Sequence, residues 1–184
     1  MWKKDTMKSN AYKEISKREG IESEQLGVIA EKMMCGVAEM ISIDRADLHV
    51  EVLPANAYQD VEEKIDFILN TKTKNRGVGI NKDETVIDEK SFGIQFTINT
   101  KKADFKNEQI QKAKERGIDV DDILYVSIDY NMLRNAMIEW KKKGEPISGP
   151  WNFLPRETQK NALKNLFHSI ITPEQEESLL KNYN

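Results

Sequence analysis

From Ser23 to about Ser42 the apolar residues Leu26, Ile29, Ala30, Met33, Val37, Met40 and Ile41 recur at three- and four-residue steps. That spacing gathers them on one face of a helix, and Ser23 stands where a cap is needed. Period-two patterns follow. Leu48, Val50 and Val52 alternate with His49 and Glu51 up to Pro54, which predicts a first strand. Glu62–Leu69 predicts a second, with Ile65, Phe67 and Leu69 on one face. Ser91–Asn99 predicts a third, with Phe92, Ile94, Phe96 and Ile98 on one face. Between them, 70–90 is rich in Lys, Asn, Gly and Asp and reads as a long hairpin excursion, with Val78–Ile80 and Val86–Ile87 pairing as a minor ribbon.

Lys106–Arg116 then predicts a helix closed by Gly117, and Ile123–Ile128 an almost unbroken apolar strand covered on both faces. Tyr130–Lys143 predicts a helix, with Leu133, Met137 and Trp140 at helical spacing. A Pro/Gly-rich loop carrying Trp151 and Phe153 leads to two short helices, Arg156–Ser169 and Pro173–Asn182, the second capped by Thr172. The order α-β-β-β-α-β-α plus a helical tail predicts an α/β (α+β) fold, a mixed sheet covered by helices. Residues 1–20 are polar, with Tyr12 and Ile15 their only sizeable apolar side chains, and read as a surface helix or arm.

Composition narrows the function. The chain has 184 residues, room for one domain with a small appendage. Its formal net charge of −3 excludes a binder driven by an overall basic field, so any nucleic-acid surface must be a local patch. No apolar run approaches the ~20 residues that span a bilayer, and the start has no apolar leader. The single Cys35 makes no internal disulfide, and no Cys/His cluster suits structural zinc. The expectation is a cytoplasmic protein without a membrane partner.

Strand alternation makes a statement about chemistry. Lys64, Asp66 and Ile68 fall on the second strand's other face, and Gly93, Gln95, Thr97 and Asn99 on the third's. If the two strands pair, Asp66 and Gln95 meet on one face, where a carboxylate and an amide oxygen are the hard ligands Mg²⁺ prefers. Asp60 and Glu31 could add oxygens. The competing reading is an ordinary solvated strand face.

Glu31 in the first helix, Asp66 in Lys64-Ile65-Asp66-Phe67-Ile68 and Gln95 in Gly93-Ile94-Gln95-Phe96-Thr97, carried in this element order, resemble the PD-(D/E)XK nuclease superfamily. The stretch Val52-Leu53-Pro54-Ala55 through Tyr58-Gln59-Asp60-Val61 resembles an uncharacterised branch of it, and the resemblance spans roughly residues 22–143. It implies a restriction-endonuclease-like αβββαβα core over 21–145, followed by a loop and helical extension over 146–184. It also implies Mg²⁺ or Mn²⁺ held by Asp66, Gln95 and Glu31, and hydrolysis of DNA phosphodiesters. One position departs from the pattern. The family carries lysine two residues after the third-strand acid, and here Thr97 stands there. Lys106, on the following helix, is the first candidate to replace it, with Lys64, Lys101 and Lys102 next.

Residues 101–116 hold Lys101, Lys102, Lys106, Lys112, Lys114 and Arg116 against Asp104, Glu108 and Glu115, a local +3 suited to a phosphate backbone. The competing reading is a solvated helix face with intrahelical ion pairs. The function expected is a metal-dependent nuclease or nuclease-related protein. Its rival is a catalytically inactive nucleic-acid-binding or protein-interaction module on the same fold, with a protein partner or a second copy in place of a substrate.

Overall fold

The computed structural model describes residues 23–76, 85–98 and 103–181. It contains α1 (Ser23–Asp44), β1 (Val50–Pro54), β2 (Phe67–Arg76), β3 (Thr85–Thr97), α2 (Ala103–Arg116), β4 (Asp122–Ser127), α3 (Tyr130–Lys142), α4 (Arg156–Phe167) and α5 (Pro173–Lys181). The strands form one mixed sheet in the order β1-β2-β3-β4. β1, β2 and β3 pair antiparallel, and β4 joins β3 in parallel after the crossover through α2. The element order is the one the periodicity predicts. None of the described helices is long and apolar enough to cross a membrane.

The two faces of the sheet are covered differently. Phe67, Leu69, Ile94, Phe96 and Val126 point into a large core with Leu26, Ile29, Met33 and Met34 of α1 and Leu133, Met137 and Trp140 of α3. Trp151, Leu163, Leu166, Phe167 and Leu179 belong to that same core, so the C-terminal helices are built into the main layer. The opposite face carries a smaller cluster of Ile65, Ile68 and Ile123 against Ile110 and Ala113 of α2, with Val120 from the loop that follows. Ile123 and Val126 face different clusters, which explains why the fourth strand's sequence is apolar almost throughout.

Helix ends follow local rules. The Asp129 carboxylate accepts from the amides of Asn131 and Met132 at the start of α3. Thr172 and Gln175 cap α5 reciprocally, Gln175 N–H donating to Thr172 Oγ1 and Thr172 N–H to Gln175 Oε1.

Three strand expectations need correction. The second strand begins at Phe67, because 59–63 forms a wide helical turn and Lys64 adopts a left-handed conformation at φ 62°. The alternation therefore breaks before Phe67, and Ile65 falls on the face opposite Phe67 and Leu69. The strand over 48–52 also starts late: Leu48 closes a short 3₁₀ turn, His49 is left-handed at φ 51°, and the ladder opens at Val50. Much of the expected excursion is strand, since β2 and β3 stay paired out to Arg76↔Thr85. Val86 pairs with Asn75 and Ile87 with Lys74, because the antiparallel ladder continues through polar residues whose backbones hydrogen-bond as well as apolar ones. Val78–Ile80 lies outside the described residues, as do residues 1–20, Asn99, Lys101 and Lys102.

Candidate functional site

Asn56 starts the segment that delivers the carboxylates. Its Oδ1 accepts from the amides of Tyr58 and Gln59, while its own amide donates to Gln59 Oε1. Gln59 is buried, so this reciprocal cap anchors the turn to the body of the protein. Asp60 leaves the turn exposed to solvent, close enough to Glu31 on α1 for the two charges to interact. Burial, and then the Asp60 charge, raise the Glu31 carboxyl above the ordinary carboxylate range, with Lys32 acting weakly in the other direction.

The chain then turns at Lys64 and enters the sheet at Asp66, whose amide donates to Ile94 O at 2.8 Å. Phe67 pairs with Ile94, so the register continued by one residue sets Asp66 opposite Gln95. Gln95 lies on the face opposite Phe67, as the paired alternation predicts. Asp66 Oδ2 accepts from the Phe96 amide. β2 has no residue in strand conformation to meet that amide, and the carboxylate supplies the missing acceptor.

Gln95 is 1 % exposed, and its Oε1 makes no hydrogen bond. Its register partner on β4 is Tyr125, whose hydroxyl is likewise sealed from solvent and unpaired. Burial raises the Tyr125 hydroxyl above the usual tyrosine range, and the Thr97 side chain beside it pulls slightly the other way. A buried polar atom left unpaired costs about 1–3 kcal/mol. Two of them at paired register positions therefore mark this end of β3 and β4 as chemically unusual. Sequence reasoning missed Tyr125. It sits inside the apolar run of the fourth strand, and only the parallel register reveals that it faces Gln95.

The donor set suits a hard divalent cation: the Asp66 carboxylate, an unengaged amide oxygen on Gln95, and the Glu31–Asp60 carboxylate pair, whose mutual repulsion a cation would relieve. Among the described residues, no three His, Cys, Asp or Glu side chains gather into a metal cluster. Any cation here would thus rest on few charged ligands, with the Gln95 amide among them.

The predicted basic residues divide. Lys106 is the fourth residue of α2, in its first turn, and its side chain lies outside the described set. Lys112 is exposed on α2. Lys114 forms an ion pair with Asp122 at the start of β4, so part of its charge is already countered. The remaining candidates take the ordinary roles expected of them. His168 Nδ1 lies 2.9 Å from Glu176, tying α4 to α5. Trp151 is core, and half-buried Cys35 packs on α1 beside Glu39.

Comparison with protein-family models, with curated proteins and with solved structures gave no match.

Proposed function

We propose that this chain is a divalent-metal-dependent nuclease, or a nuclease-related protein, acting on DNA phosphodiesters from a restriction-endonuclease-like core. The observation that carries the reading is the Asp66–Gln95 juxtaposition: a carboxylate at the first position of β2's ladder faces a buried amide oxygen that the fold leaves unused. Asp66 provides the charged ligand, Gln95 Oε1 the neutral one, and Glu31, already crowded by Asp60, the flanking carboxylate. Bound there, Mg²⁺ or Mn²⁺ would supply Lewis-acid polarisation of the scissile phosphate and a water of lowered pKa. Lys106, on the first turn of α2, is the cation proposed to orient that water, and exposed Lys112 a contact for the DNA backbone. Work in the cytoplasm belongs to the same proposal.

A second reading has its own support. Thr97 occupies the expected lysine position, and one Asp66 oxygen is already held by the Phe96 amide. Both favour a protein that binds nucleic acid through α2 without cutting it.

Nicking of supercoiled plasmid by purified protein, with Mg²⁺ or Mn²⁺ and with chelator, separates the two. The nuclease reading expects metal-dependent nicking that Asp66→Asn abolishes, since Asn keeps an acceptor for the Phe96 amide and loses the charge. Salt-sensitive DNA binding without nicking in either metal selects the binding module.

A further inference from the structure

Gln95 and Tyr125 present an unusual combination: an acceptor and a donor, both buried and both unpaired, on paired residues of adjacent parallel strands. Parallel register partners project to the same side of a sheet, so both side chains emerge on the face covered by α2. Tyr125 packs against the small cluster of Ile65, Ile68 and Ile123, which fixes its ring. A hydroxyl contributing only to packing could be dispensed with at a gain, because phenylalanine fills the same volume without burying an unpaired polar group.

We infer that Tyr125 is a positioning residue for the Asp66–Gln95 site, holding the Gln95 amide so that Oε1 is presented as a ligand for a divalent cation. The inference rests on the metal-dependent reading above. Thr97, beside the Tyr125 hydroxyl, belongs to the same arrangement: where a lysine side chain would reach out over the site, a short hydroxyl leaves room for the Tyr125 ring end. Burial keeps the phenol protonated across the physiological range, so it acts as a neutral donor. Tyr125 works through Gln95 and need not touch the substrate.

The test measures Mn²⁺ binding by the metal's effect on melting temperature and by calorimetric titration, alongside plasmid nicking. Four proteins are compared: wild type, Tyr125→Phe, Gln95→Ala and the double variant. Tyr125→Phe should fold and melt at or above the wild-type temperature in chelator. It should bind Mn²⁺ several-fold more weakly, and the loss should disappear in the Gln95→Ala background, since the two side chains act as one unit. Wild-type Mn²⁺ affinity in Tyr125→Phe, or losses that simply add in the double variant, overturns the inference and leaves the metal site standing. A wild-type protein that neither binds Mn²⁺ nor nicks DNA overturns the metal-dependent reading, and the role of Tyr125 falls with it.

Discussion

The contact between Gly93 and Ile65 offers the most direct test of how the site is held. Gly93 lies in the middle of β3, where its missing side chain is filled by Ile65. A Cβ built on Gly93 would stand 2.7 Å from Ile65 Cδ1, 2.8 Å from Cγ1 and 3.3 Å from Cγ2. Ile65 has no exposed surface and is hemmed in by the α2-side cluster, so it cannot swing aside. Gly93→Ala therefore forces overpacking, expected to cost about 1–3 kcal/mol. At about 2–4 °C per kcal/mol for a chain of this size, melting should fall by about 2–12 °C. Ile65→Ala alone leaves a cavity and should cost about 2–5 kcal/mol. In the double variant the new methyl group enters the space Ile65 vacates, so the two losses should be less than additive. Urea unfolding followed by tryptophan fluorescence gives all three values. Because Asp66 follows Ile65 directly and its amide bonds Ile94 O, displacing Ile65 should also lower metal-dependent nicking in the single Gly93→Ala variant. Wild-type stability in Gly93→Ala, or strict additivity in the pair, would refute the close approach of Ile65 to β3.

Three further outcomes are expected. Asp66→Ala strips the Phe96 amide of its acceptor and should destabilise by about 1–3 kcal/mol in chelator, whereas Asp66→Asn should lose far less; equal losses in denaturant titrations would mean that bond contributes nothing. For Glu31 the carboxyl is raised in the folded state, so the fold binds that proton more tightly than the unfolded chain, and stability falls as pH climbs from the ordinary carboxylate value through the raised one. Glu31→Gln should thus melt higher than wild type at pH 7 with the difference closing toward pH 4, and an unchanged gap across that range would contradict it. If Lys106 and Lys112 each meet a phosphate, replacing both with Ala should reduce the salt slope of duplex-DNA binding by about 1.8 log units per log unit, read by fluorescence anisotropy; an unaltered slope removes α2 from the interface.

What the sequence disclosed, and what it hid, follows from which forces are local. Helices α1 and α3 and the core face of β3 were legible because one buried face repeats with a period that neighbouring residues fix. The start of β2 was not, since Ile65, Phe67 and Leu69 alternate perfectly in the sequence. The break comes from Lys64, which takes a left-handed conformation that non-glycine residues seldom adopt. The extended β2–β3 hairpin was hidden for the opposite reason. Its outer rungs pair polar residues such as Lys72 with Glu89, and backbone hydrogen bonding leaves no hydrophobic trace. At the site, the opposition of Asp66 and Gln95 was legible from parity alone. The Phe96 bond to Asp66, the Lys114–Asp122 pair and the facing of Tyr125 and Gln95 join residues 30, 8 and 30 positions apart, set by register and crossover.

The same left-handed residue that misleads the alternation also explains why polar side chains collect where they do. With Lys64 turned out of the ladder, β2 stops short while β3 runs on to Thr97. Beyond that point the backbone of β3 has no strand on its β2 side, and its amides must find other acceptors. Asp66 takes the first of them, Phe96. A single carboxylate is thereby fixed by main-chain geometry, beside an amide oxygen that the fold buries and does not use. Under the nuclease reading the structural and chemical duties of Asp66 support each other. The bond to Phe96 immobilises one carboxylate oxygen at low entropic cost and holds the group in place for a cation. Under the binding reading the same bond is its whole purpose, and the unpaired Gln95 and Tyr125 would be a cost without return. A total stability of about 5–15 kcal/mol leaves little room for two such groups at 1–3 kcal/mol each. Their persistence side by side is therefore the stronger argument for a ligand at this end of the sheet.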